Sequence, residues 1–264
     1  MKILFFLILT YFHLLAQQNE VYQNLNNLFN KLDSDYVRYE QNNCKLNLSQ
    51  KELDTLVIQI YELYSYHWID VNNFIENRAK KNEKEYIESG GKIPLHKPVL
   101  GMVRRKLNEI KGVKFFDIIT VPYYFKLKIL KIDQLRKYKS GDDYYPKTTM
   151  LCEILETIKG KHLFNDGDKI EISYLNHWDV GIYEEGEIYF IPVKPWNCKN
   201  GNCTEYTMNF FPLYNGISIE GGPYGIYKIE NNKIRNTEFF QISGSEWNTF
   251  KTEFKEKYIL EVER

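Results

Sequence analysis

Cys198 and Cys203 carry the most specific chemistry in this chain, because they flank Lys199-Asn200-Gly201-Asn202. Asn-Gly is a strong two-residue hairpin signal, since both positions tolerate positive φ. In that hairpin Lys199 and Asn202 form the hydrogen-bonded pair beside the turn. Cys198 and Cys203 then fall directly opposite each other in the next, non-hydrogen-bonded pair. Such a pair brings Cα atoms to about 4.5 Å, near the lower end of disulfide spacing. The spacing therefore predicts a Cys198–Cys203 bridge. A metal site would need two more ligands close by, and the neighbouring sequence offers none. For Cys44 and Cys152, only elimination suggests a second bridge.

Beyond the leader the histidines are His67, His96, His162 and His177. His67 lies on an apolar helical stripe, which suits a hydrogen-bonded structural residue. His96 sits between Pro94 and Pro98, in what reads as an exposed loop. His162, Asp166, Asp168 and His177 could gather around a metal, but their spacing matches no helix or hairpin ligand pattern. Asn165-Asp166-Gly167-Asp168 reads more simply as a turn. Cys152 stands in an apolar strand, which favours burial or bridging over nucleophilic chemistry. No nucleophile elbow, zinc-protease motif, phosphate loop or dinucleotide fingerprint occurs, so no cofactor is expected.

The third feature is aromatic. The chain holds 21 Tyr and 4 Trp. Tyr138, Tyr144 and Tyr145 cluster in the segment from Arg136 to Lys147, among lysines and around Gly141 and Pro146. A tyrosine offers a flat apolar face and a hydroxyl, which suits sugar or protein contacts. The competing reading of this segment is a solvated connection.

The elements that must hold these residues start after an N-terminal address. Lys2 precedes the mostly apolar run from Ile3 to Leu15, and Ala16 supplies a small residue before a cut at Gln17. That run is short for a spanning helix, which needs about 20 residues, so residues 1–16 read as a secretory signal. A retained anchor is the alternative. Export makes disulfides possible and predicts a secreted or periplasmic, cell-envelope protein with no transmembrane segment once the signal is removed. Lys plus Arg and Asp plus Glu are 35 each. A neutral, exported chain argues against nucleic acid as a partner.

Residues 17–114 read as a helical region. Val21, Leu25, Leu28, Leu32 and Tyr36 form one apolar stripe. Ser49 and Glu52 fit a capping box that opens a second helix. Its stripe runs through Leu53, Leu56, Ile60, Leu63, Tyr64, His67, Val71 and Phe74, with a solvated end over Asn77 to Glu88. Pro98 opens a third helix, which ends before Gly112. Residues 115–264 read as strands followed by a helix. The strands are expected at Phe115 to Phe125, Tyr124 to Ile132, Thr148 to Ile158, Lys169 to Leu175, Ile188 to Val193 and Thr204 to Phe211. Ile154-Leu155 breaks the alternation and marks a bulge. Trp247, Phe250, Phe254 and Tyr258 share one face of a closing helix, with Ser245 as its cap. Short strands with short turns favour a small barrel or a sandwich. The fold class is α+β.

Three stretches carry a family likeness: Glu156-Thr157-Ile158-Lys159-Gly160, Phe164 to Ile172, and Glu185-Gly186-Glu187-Ile188-Tyr189-Phe190-Ile191. Their order over residues 120–215 resembles the netrin-like modules related to tissue inhibitors of metalloproteinases. The resemblance implies an OB-like antiparallel β-barrel of five strands between the helical region and the C-terminal helix. Family inhibitors reach a catalytic zinc through a cysteine at the mature N-terminus. Here that position is Gln17, so the resemblance implies the fold and not protease inhibition. In OB-type barrels the connection between the first two strands often binds oligonucleotides or oligosaccharides. This places Tyr138, Tyr144 and Tyr145 in a candidate binding loop. The function expected is a non-catalytic binding or assembly module for an envelope protein or glycan. An envelope hydrolase with a site gathered from distant residues is the alternative.

Overall fold

A computed structural model describes residues 20–31, 48–91, 99–112, 114–140, 143–175, 183–199, 202–208 and 227–260. Residues 1–19, with the expected signal segment, and Leu32, Tyr36, Cys44, His96 and His177 lie outside the described residues. The chain divides into two compact units, 1–113 and 114–264.

The first unit is helical. Helix α1 covers residues 20–31 and buries Val21, Leu25 and Leu28. Helix α2 (Gln50–Tyr66) opens with the expected capping box: the Ser49 hydroxyl accepts from the Glu52 amide, and the Glu52 carboxylate accepts from the Ser49 amide. The apolar stripe beyond it belongs to two helices rather than one. His67 leaves helical dihedrals, at φ −129° and ψ 32°, and α3 (Trp68–Glu88) starts after it. The backbone stays bonded through the break: His67 N–H donates to the Leu63 carbonyl, and its own carbonyl accepts from Val71 N–H. Side-chain periodicity does not register such a joint, because one non-helical residue leaves the stripe nearly in phase. Phe74 of α3 packs against Phe29 at 5.2 Å between ring centres. Past Phe74 the helix is solvated and carries i,i+4 ion pairs such as Lys80–Glu76. Helix α4 (Val99–Lys111) buries Val103 and Leu107, and Lys111 meets Asp54 of α2 at 3.0 Å. Gly112 follows at φ +119°, the left-handed position expected of a terminating glycine.

The second unit contains the sheet. Its first residues correct the expected strand at Phe115 to Phe125: Phe115–Ile119 is a short helix, α5, and β1 spans Tyr123–Ser140. Phe115, Phe116, Ile118 and Ile119 are all buried. Apolar residues on every side of a short segment carry no period, so strand and buried helix look alike in sequence. The remaining strands are β2 (Asp143–Lys159), β3 (Lys169–Leu175), β4 (Ile188–Lys199), β5 (Asn202–Met208), β6 (Tyr227–Glu230) and β7 (Lys233–Ile234). A 3-10 turn over Thr237–Phe240 and helix α6 (Trp247–Tyr258) follow. The architecture is α+β.

Strand β1 pairs antiparallel with β2, and over Tyr123–Lys128 also with β4. Strand β2 pairs with β3, β4 with β5 and β6, and β6 with β7, all antiparallel. Strands β3 and β5 run parallel, through Ile172↔Tyr206 and Ser173↔Thr207. Opposite β1, β2 carries an extra residue at Leu155, where Lys126 faces Glu156 and Leu127 faces Ile154. That is the bulge signalled by the broken alternation.

Alternation sends the two faces of β1 and β4 into different cores. Phe125, Leu127, Ile129, Tyr189, Ile191 and Val193 join Met150, Cys152, Ile154, Ile170 and Ile172 in one. Tyr124 and Phe190 face the other way, into an aromatic layer with α6. The Phe190 ring centre lies 5.2–6.3 Å from those of Tyr124, Tyr227, Phe240, Trp247, Phe250 and Phe254, the nearest being Phe254. Helix α6 is capped by Glu246, whose carboxylate accepts from Thr249 N–H, rather than by Ser245. A carboxylate reaches the N3 amide as well as a hydroxyl does, and also suits the positive end of the helix.

Candidate functional site

The structure corrects the loop reading of Arg136 to Lys147. Strand β1 runs to Ser140 and β2 starts at Asp143, so only two residues connect them. The register faces Tyr138 with Tyr145 and Lys139 with Tyr144, closing at Ser140↔Asp143. The three tyrosines therefore occupy ladder positions in a hairpin arm. Pro146 lies opposite Lys137. Punctuation by Gly141 and Pro146 made the stretch look irregular, although a proline is compatible with an edge strand.

Among the described residues the arm extends beyond its neighbours. The β1–β4 ladder ends at Lys128↔Ile188, and the β2–β3 ladder ends at Lys147↔Leu175. At its root, Ile129 N–H donates to the Glu187 carbonyl and the Ile129 carbonyl accepts from Gly186 N–H. The Glu185 carboxylate then accepts from Ile132 N–H at 2.7 Å. A second arm comes from β4 and β5, where Trp196 faces Glu205, Cys198 faces Cys203 and Lys199 faces Asn202. It leaves the Val193 end of the β1–β4 ladder, whereas the tyrosine arm leaves the Lys128 end. The register of the two cysteines is the one the Asn-Gly turn demands.

Cys152 is a free, buried thiol whose Sγ donates to the Met150 carbonyl at 3.8 Å. Burial pushes its pKa up to about 12, which disfavours the thiolate. Asp166 accepts from Thr157 N–H and Asp168 accepts from Asn165 N–H, each at 2.8 Å. Their carboxylates thus fasten the connection between β2 and β3, as a turn reading requires. His162 is exposed in the same connection, with its ring 6.5 Å from that of Tyr123. No group of three or more His, Cys, Asp or Glu residues placed to hold a metal occurs among the described residues. No helix among them is long and apolar enough to cross a membrane.

Other groups come together without a local sequence signal. Lys228 Nζ meets Glu184 at 2.7 Å, Glu230 at 2.9 Å and Glu187 at 3.4 Å. The hydrogen bonds it donates to Glu184 and Glu230 hold its pKa above the ordinary lysine value. Glu156 accepts from Lys251 at 2.9 Å and from the Trp247 indole at 3.3 Å, tying α6 to β2. Lys159 is buried at the end of β2, where its Nζ donates to the carbonyls of Ile119 and Val121 at 2.8 and 2.7 Å. Burial pulls its pKa well below the ordinary lysine value.

Tyr123, Phe164 and Tyr206 form a triad of edge-on rings, with centres 5.1 to 6.2 Å apart. They come from β1, the β2–β3 connection and β5, more than 80 positions apart at the extremes of the chain segment they span, which is why spacing did not reveal them. No family model, curated protein or solved structure matches the chain.

Proposed function

We propose that the chain is an exported, non-catalytic binding module whose sheet closes as an OB-type barrel of the netrin-like kind. Support for closure is the circuit of pairings, β1 to β2 to β3 to β5 to β4 and back to β1, with β3 and β5 parallel. In such barrels the β2–β3 face and the β1–β2 and β4–β5 connections contact the ligand. Both connections are drawn out into arms here, and that observation carries the reading. The tyrosine arm, with Tyr138, Tyr144 and Tyr145, is the principal contact. The β4–β5 arm is held by a Cys198–Cys203 bridge, formed after export and supported by the facing register. The partner is an envelope protein or glycan.

The test is capture of the native partner from envelope extract by wild type and by Tyr144→Ala/Tyr145→Ala. Loss of a central aromatic contact costs about 2 kcal/mol or more, roughly a thirtyfold weakening. Capture should fall by that factor with the thermal midpoint nearly unchanged. Undiminished capture would reduce the arm to a connector.

A further inference from the structure

We propose that the Tyr123–Phe164–Tyr206 triad is a second, independent site, which binds the apolar face of a neutral sugar ring. Tyr123 is its floor, 5% exposed, while Phe164 and Tyr206 are half-buried and reach the surface. Leu163 beside them is 57% exposed, a large apolar side chain left in water, and His162 is exposed on the same rim. Exposed apolar surface gathered around aromatic rings marks a contact surface better than the same residues scattered singly.

The hydroxyls choose among ligands. Burial raises the pKa of both Tyr123 and Tyr206, and Tyr206 adds to the shift at Tyr123, so the two phenols are near enough to interact. Neither hydroxyl makes a hydrogen bond to protein among the described residues. An apolar side chain seated here would leave a desolvated hydroxyl unpaired, at a cost. A sugar ring offers C–H groups to the aromatic faces and hydroxyls to the phenols. Tyr206 faces Pro195 at the root of the β4–β5 arm, which leaves the opposite end of the β1–β4 ladder from the arm that carries Tyr144 and Tyr145, so the site does not use those two residues.

The test titrates the full chain with chitotetraose and cellotetraose, read by calorimetry and by amide shifts. At least one should bind saturably, with the largest shifts at Phe164 and Tyr206. Tyr206→Phe, which removes one hydroxyl and keeps the ring, should weaken binding about fivefold, the worth of one hydrogen bond. Its thermal midpoint should not change. Phe164→Ala should abolish binding, and Tyr144→Ala/Tyr145→Ala should leave it intact. The proposal is overturned if neither sugar binds at about 10 mM, well above a millimolar dissociation constant. It is equally overturned if Tyr206→Phe binds like wild type, or if the arm variant loses the sugar.

Discussion

Replacing Lys159 by Met should change how stability depends on pH. Lys159 is 5% exposed, and burial lowers its pKa well below 10.5. The folded lysine therefore releases its proton at a lower pH than the unfolded one. Between the folded pKa and 10.5 the unfolded chain binds more protons, so raising the pH stabilises the fold. One proton gives a slope of at most about 1.4 kcal/mol per pH unit. Methionine keeps a long stem in the same space and removes the titration. It also strips a donor from the Ile119 and Val121 carbonyls, which costs about 1–3 kcal/mol for each acceptor left unpaired. Urea unfolding of both proteins at pH 7, 8, 9 and 10 should show the gap widening in favour of wild type as pH rises. Buried Tyr227 and Tyr258 have raised pKa values and weaken the fold as their unfolded counterparts ionise near 10. Both proteins share that loss, so it cancels in the difference. Parallel stability curves, or a gap that narrows with pH, would refute a lysine held with a depressed pKa.

Phe190→Ala should destabilise the second unit by about 3–5 kcal/mol in chemical denaturation, the usual cost of deleting a fully buried phenyl ring. Gly160→Ala should cost about 1–3 kcal/mol, because Gly160 sits at φ +109° and a Cβ there would lie 2.7 Å from Tyr123 Cδ1; circular dichroism melts will read it. Thiol mapping of protein purified from its native host without reductant should find Cys198 and Cys203 blocked together and Cys152 free once the chain is unfolded, whereas free thiols at Cys198 and Cys203 would end the bridge.

Sequence reasoning succeeded where a local rule decided the structure. The capping box at Ser49, the α4 stop at Gly112, the bounds of β3 and the aromatic face of α6 were all legible, because each depends on residues within a turn or two. The same logic set the facing register of Cys198 and Cys203. It failed where apolar residues carried no period, as at Phe115–Ile119. It also passed over β6 and β7, although Asn231-Asn232, at φ +49° and +60°, is a sound hairpin turn between short alternating strands. The tyrosine arm kept its residues but changed its structure, since glycine and proline suggested a loop where pairing extends two strands. The aromatic triad was invisible for a different reason: Tyr123, Phe164 and Tyr206 meet only through the β1–β2–β3–β5 pairings, and no window of sequence contains them together.

The most direct measurement of the binding claim is a hydrogen-exchange footprint of the protein with the partner that the proposed capture experiment yields. Backbone amides of residues 134–140 and 143–147 should slow most on binding, with a second protected patch over 196–199 and 202–205. The helices of the first unit should exchange as in the free protein. Protection confined to α3 or α6, with both arms exchanging unchanged, would contradict the account.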